Sequence, residues 1–226
     1  MPTIALMHVG DQVELPTLMV RSFRRHNPDV RLVQVSDLDS PRIEGVGEVV
    51  RSPPRDGNMM LFRMRCFAAL PTDDPTWFMD TDMLCVRPLE PPQSNTGTAV
   101  CLREFGRNSI FNHRFNAMDM SEYAGRTLGS IYPYVGCATY LHRSTFWRDC
   151  LREMEALDPK FHNWYGDQEA IRIVVESRVH RVSFLPESLY ACLPEAAEAA
   201  ARPYVFHYKG QRKPEMLRRA ATEGLQ

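Results

Sequence analysis

Lysine is almost missing from this 226-residue chain: it occurs only at Lys160, Lys209 and Lys213, and arginine carries the rest of the fixed positive charge. The 27 basic residues are matched by 28 acidic ones, for a formal net charge of -1. No global positive field is therefore present to hold a nucleic-acid backbone. No apolar run approaches the roughly 18–20 residues that a membrane-spanning helix needs. Met1–Gly10 lacks both the basic start and the long apolar run of a secretory leader. There is no Cys-x-x-Cys pair. Cys66, Cys85, Cys101, Cys137, Cys150 and Cys192 are scattered, mostly among apolar neighbours. That usage fits reduced, buried thiols in a cytoplasmic protein and speaks against a disulfide or zinc framework. No internal repeat is visible, and the one biased segment is the Ala-rich Pro194–Pro203.

What is present suffices for a full core, since 44% of the residues are hydrophobic. The length suits one domain over residues 1–226. Thr3–Val9 is a short apolar run ended by Gly10-Asp11 and reads as a buried strand. Glu14–Asn27 places Leu15, Leu18, Met19 and Phe23 at helical spacing, and Val30–Asp37 is a second strand. This β–α–β opening predicts a parallel sheet with helices on its faces. Gly47–Ser52 predicts a third strand, Gly57–Pro71 a helix and Thr76–Leu89 a strand. Thr98–Glu104 predicts a further strand, and Gly106–Tyr132 a long polar loop with a short helix. Tyr134–His142 reads as strand, and Ser144–Leu157 as a helix with Ser144 as its N-cap. A helix from Gly166, strands over His180–Pro186 and Tyr204–Gly210, and a helix from Lys213 complete the expected order.

The predicted strand Thr76–Leu89 carries Asp80 and Asp82 in the middle of its apolar run. In a strand, side chains two apart point to one face, so the carboxylates would stand side by side. Like charges that close are costly, and a hard cation resolves the conflict. A capped strand end is the alternative. The spacing alone is weak, because Asp37 and Asp39 repeat it in "SDLDS". That second pair leaves a strand for a Ser/Pro turn, where aspartates act as turn formers.

Three further features follow in order. Arg63 lies on the predicted helix 17 residues before Asp80. Asp167 and Gln168 begin a helix behind a glycine. His207, Gly210 and Lys213 close the chain in "HYKGQRKP". Each has a plain alternative: a surface arginine, a helix cap, a core histidine, a turn. Together they resemble the GT-A-fold nucleotide-sugar glycosyltransferases. The match is with the retaining group, similar to glycosyltransferase family 8, that includes glycogenin and the bacterial lipopolysaccharide galactosyltransferases. That group combines a basic helix residue, an apolar D-x-D strand, a later Asp-Gln and a terminal His-x-x-Gly-x-x-Lys-Pro, which here is His207–Pro214. The chain departs from the pattern at Glu215, where an aromatic is common, and in "YVGC", Tyr134–Cys137.

The resemblance implies an α/β, Rossmann-like GT-A domain with a mixed, mostly parallel sheet flanked by helices. It implies transfer of a sugar from a UDP-sugar to a glycan, lipid or protein acceptor, with retention. Asp80, Asp82 and His207 would bind Mn²⁺ or Mg²⁺, and Asp80 would also touch the ribose. Lys213 and Gly210 would meet the diphosphate, and Arg63 the sugar or a phosphate. Asp167 would hold sugar hydroxyls, and Gln168 would sit near the reacting carbon. His8 and Asp11 are candidates for base or ribose contacts, or plain strand-end and turn residues. A nucleophilic-aspartate phosphatase would have its acids near the chain start, before a Thr/Gly-rich loop. A sugar-nucleotide pyrophosphorylase would have a Gly-rich opening loop. Neither feature is here. A nucleotide-sugar-binding protein without transfer is the non-enzymatic alternative. The terminal "LRRAA", Leu217–Ala221, is the one faintly basic helix that could touch a membrane surface.

Overall fold

The computed structural model describes residues 2–52, 57–92, 97–114, 119–162, 164–197 and 202–225. In chain order the elements are β1 (Thr3–Met7), α1 (Glu14–His26), β2 (Arg31–Ser36), β3 (Glu48–Arg51), α2 (Met59–Ala68), β4 (Thr76–Met79), β5 (Met83–Cys85) and β6 (Thr98–Leu102). They continue with α3 (Leu128–Ile131), β7 (Tyr134–Leu141), α4 (Phe146–Ala156), α5 (Gly166–Glu176), β8 (Ser183–Pro186), α6 (Glu187–Tyr190), β9 (Val205–His207) and α7 (Lys213–Thr222).

Seven strands form one sheet in the order β3-β2-β1-β4-β7-β6-β8. Its pairings are parallel except for β4–β7 and β6–β7, so the sheet is mixed and mostly parallel, as expected. The strands are apolar on both faces, and successive residues go to opposite cores. Ile4, Leu6, Trp77 and Met79 join α1, α6 and α7 on one face; Ala5, Phe78 and Val100 join α2, α4 and α5 on the other. Burial on two faces explains why these strands read as unbroken apolar runs.

That alternation slips once. β6 pairs with β7 through Val100↔Thr139 and then Cys101↔Val135, which leaves Gly136, Cys137 and Ala138 without a β6 partner. Cys137 and Ala138, though neighbours, lie in the same core. Such a bulge turns backbone groups out of the ladder, and this one faces the site described below.

Two sequence expectations are corrected. Thr76–Leu89 is not one strand: β4 ends at Met79, and β5 belongs to a separate two-stranded sheet with β9. Asp80 still donates its N–H to Cys137 C=O, and then the chain leaves the main sheet. Ser144 is not the N-cap of α4, which is Thr145. The Ser144 hydroxyl shares a 2.7 Å hydrogen bond with Thr98 Oγ1, and the helix begins one residue later. Described residues on both arms of the long loop after β6 pack together. Phe111, Met120, Ile131, Tyr132 and Phe161 form a third cluster, on which Tyr123 and Tyr165 pack. In "SDLDS", Asp37 is a turn former as read: its Oδ1 accepts the Ser40 N–H at 2.9 Å. All six cysteines are buried.

Candidate active site

The site lies where β4 ends and the small sheet begins. β9 pairs antiparallel with β5 so that His207 stands opposite Met83, and the Tyr208 N–H donates to Asp82 C=O at 2.8 Å. This register carries a histidine 125 positions downstream to the side of Asp82. Its Nε2 lies 3.2 Å from Asp82 Oδ1 and 3.7 Å from Asp80 Oδ2. The ligating atoms of Asp80, Asp82 and His207 all fall within 4.8 Å of one another. Two carboxylates and an imidazole form a mixed O/N donor set, which fits manganese well and magnesium acceptably.

Two cavities meet at these acids. One of about 350 Å³ is lined by His8, Met60, Arg63, Asp80, Asp82 and Lys213, among others. The other, of about 830 Å³, is lined by Arg63, Asp80, Asp82, Arg103, Cys137, Trp164, Asp167, Gln168, His207, Lys209 and Gly210, among others. Arg63 bridges the acids on the wall they share. It is buried on α2, its Nη2 is 2.7 Å from Asp80 Oδ1, and its Nη1 is 3.6 Å from Asp167 Oδ2. Nη2 also donates to Gly136 C=O in the β7 bulge, at 2.5 Å. Burial opposes the Arg63 charge, but Asp80 and Asp167 outweigh it and raise its pKa.

The protonation of the acids follows their surroundings. Burial pushes the Asp80 carboxyl above the usual range, against the pull of Arg63 and His207. Burial acts the same way on Asp82, but His207 and Lys213 overcome it and hold its pKa low. Burial also works against a charge on His207, yet the Cys137 sulfur and Asp82 beside it raise its pKa.

The predicted site residues converge with one exception. Arg63, Asp80, Asp82, Asp167, Gln168, His207 and Gly210 line the larger cavity, and His8 and Lys213 line the smaller. Lys213 Nζ lies 3.9 Å from Asp82 Oδ2. Gly210 has φ +66°, and a Cβ there would meet nothing within 4 Å, so glycine serves the left-handed backbone and leaves the space above it open. Asp11 is exposed in the turn after β1 and lines neither cavity.

Sequence reasoning missed three contributors. Gly136 leaves room for Asp167, since a Cβ there would sit 3.0 Å from Asp167 Oδ2, tighter than an ordinary contact. Arg103 ends β6 as Asp80 ends β4, and a charged residue at the end of an apolar strand was its available signal. Glu187 is fully buried at the start of α6. It accepts the N–H groups of Glu104 and Phe105 and pairs with Lys209, so it braces both rims of the cleft. A Pro-Glu dipeptide opening a short helix looks the same when it is exposed, so no local signal distinguished it.

A mostly parallel sheet with helices on both faces, and an acid pair at a strand end facing a C-terminal histidine, is the GT-A architecture that the motifs implied. Solved structures bear this out for the fold. The galactosyltransferase LgtC, in complex with donor and acceptor sugar analogues, superposes with a TM-score of 0.61 at 11% identity, covering 97% of this chain and 95% of that one. A glutamine-to-glutamate active-site mutant of LgtC gives 0.60 at 11% identity and the same coverage. The bifunctional glycosyltransferase WbbM, without ligand, gives 0.57 at 16% identity, covering 93% of this chain and 46% of that one. No family model matches the sequence, and no curated protein matches it.

Proposed function

We propose that this protein is a metal-dependent glycosyltransferase that takes a sugar from a nucleoside-diphosphate donor, UDP-linked, and passes it to a glycan, lipid or protein acceptor with retention. One observation carries the reading. Two acids at a strand break and a histidine from the last strand converge within 4.8 Å, with a lysine beside them and two cavities on either side. A divalent cation held there, manganese first and magnesium second, supplies the positive charge that a departing diphosphate needs.

The chain's own residues do the remaining work. Lys213 adds a point charge for the diphosphate. Gly210 lets the backbone approach a phosphate more closely than a side chain would allow. Arg63, locked by Asp80, Asp167 and the Gly136 carbonyl, presents a fixed guanidinium to the donor. Asp167 accepts sugar hydroxyls. Gln168 lies next to it at the reacting carbon, and because an amide is a poor nucleophile, attack from the face of the departing diphosphate accounts for retention. His8 and the ribose-facing edge of Asp80 receive the nucleoside. The six buried thiols fit a reducing compartment, the cytoplasm.

A panel of sugar nucleotides screened with Mn²⁺ identifies the donor. Asp82→Asn then abolishes metal-dependent release of UDP from that donor while the far-UV circular dichroism stays native. A wild type that binds UDP but turns over no donor in the full panel is a nucleotide-sugar binder instead.

A further inference from the structure

The larger cavity is lined by four lysine and arginine side chains. Three have carboxylate partners: Arg63 with Asp80 and Asp167, Lys209 with Glu187 at 3.1 Å, and Arg212 with Glu195. Arg103 is the exception. It is 6% exposed at the end of β6, and no carboxylate among the described residues is within ion-pair reach of its guanidinium. Its Nε donates to Tyr132 C=O at 2.7 Å, and its Nη2 to Gln168 Oε1. Both acceptors are neutral, so they aim the fork without cancelling its charge.

Glu187, whose field reaches Arg103, is committed elsewhere. One oxygen takes the Glu104 and Phe105 N–H groups and the other takes Lys209. A buried cation with no carboxylate in direct contact is left under-compensated for the water it has lost. Neutral sugar hydroxyls find their acceptors in Asp167 and Gln168 and give a guanidinium no charge to pair with. A planar carboxylate matches the fork and the charge together.

The position selects which part of the ligand meets it. Contacts run from Asp80 to Arg63, to Asp167, to Gln168 and on to Arg103. Arg103 thus meets the Gln168 end of the Asp167–Gln168 pair. We infer that the sugar bound over Asp167 and Gln168 carries a carboxylate that pairs with Arg103, so the substrate belongs to the uronic acids. The inference rests on the nucleotide-sugar reading above. The carboxylate can arrive on the donor sugar or on an acceptor bound beside it.

Isothermal titration in the presence of Mn²⁺ separates these sources. One arm compares UDP-glucuronate and UDP-galacturonate with UDP-glucose and UDP-galactose. The other adds methyl glucuronide or methyl glucoside to protein already holding UDP and Mn²⁺. The acidic member of a pair is expected to bind about ten- to a hundredfold more tightly in one arm. Preference in the first arm places the carboxylate on the donor, and preference in the second places it on the acceptor. Arg103→Met is expected to erase that ratio and Arg103→Lys to retain part of it. Equal binding of acidic and neutral sugars in both arms overturns the inference. So does Arg103→Met weakening both alike, which would make Arg103 only a positioning residue for Gln168. The wild-type ratios test the idea even if the variants do not fold. UDP itself is the control: no UDP binding with Mn²⁺ would defeat the nucleotide-sugar reading, whereas UDP binding without an acid preference defeats only this one.

Discussion

The pKa of His207 is raised because the Cys137 sulfur and Asp82 overcome the effect of burial on its charge. The sign of the pH dependence follows. A folded pKa raised to about 10 means that a metal must displace a proton from the imidazole at any lower pH, so apparent affinity climbs as pH rises toward 10 and falls steadily as pH drops. The expected slope is about tenfold per pH unit while the imidazole stays protonated. Mn²⁺ titrations between pH 6.5 and 8.5, in buffers of different ionisation enthalpy, read both the slope and the released proton. A flat profile across that window would show that His207 is already neutral. At this scale the sequence was partly legible. Asp80, Asp82, His207 and Lys213 stood out because their spacing fits a shared pattern. Arg103 and Glu187 did not, because what singles them out is burial and the lack or presence of a partner, which belong to the folded chain.

Among the elements, the start of α5 decides where Asp167 and Gln168 point. Tyr165 precedes the helix at φ +58°, in the left-handed region that bulky residues avoid. It is held there by stacking on Tyr132, with ring centres 5.2 Å apart. Gly166 follows in a space where a Cβ would meet the Phe161 C=O at 2.0 Å and Met154 Cε at 2.6 Å. Gly166→Ala therefore has to push backbone rather than a flexible side-chain end. The expected cost is about 3 kcal/mol, the upper end for overpacking, or roughly 6–12 °C in melting temperature for a chain this size. Thermal unfolding checks the figure, and a shift under about 2 °C would mean that the loop before α5 yields freely. The elements themselves were well marked in the sequence by apolar runs and their punctuation. The break at Asp80 was not, since an apolar stretch continuing past the acids looks the same whether it stays in one sheet or passes to another.

Across the whole molecule, nucleotide and metal should act together as one stabiliser. At about 100 times its Kd, UDP adds ~2.7 kcal/mol to the folded state, or roughly 5–11 °C. That shift is expected only with Mn²⁺ present and should vanish with a chelator. A shift with UDP that survives chelation would place the nucleotide somewhere other than the triad. Of α7, Met216 and Ala220 are buried against the core, while Arg219 lies over the Phe206 ring, 4.1 Å from its centre, and pairs with Glu223. None of the described helices is long and apolar enough to cross a membrane. The amino-acid sequence by itself determined the order and type of most of the elements and the residue types of the triad, because periodicity, turn residues and motif spacing are local properties. Tertiary structure alone decided that β5 leaves the main sheet to pair with β9, that the β7 bulge turns a carbonyl toward Arg63, and that Arg103 is buried with no carboxylate in ion-pair contact among the described residues. Those outcomes depend on strand pairing between segments far apart in the chain and on which groups lose water when the two faces of the sheet are covered.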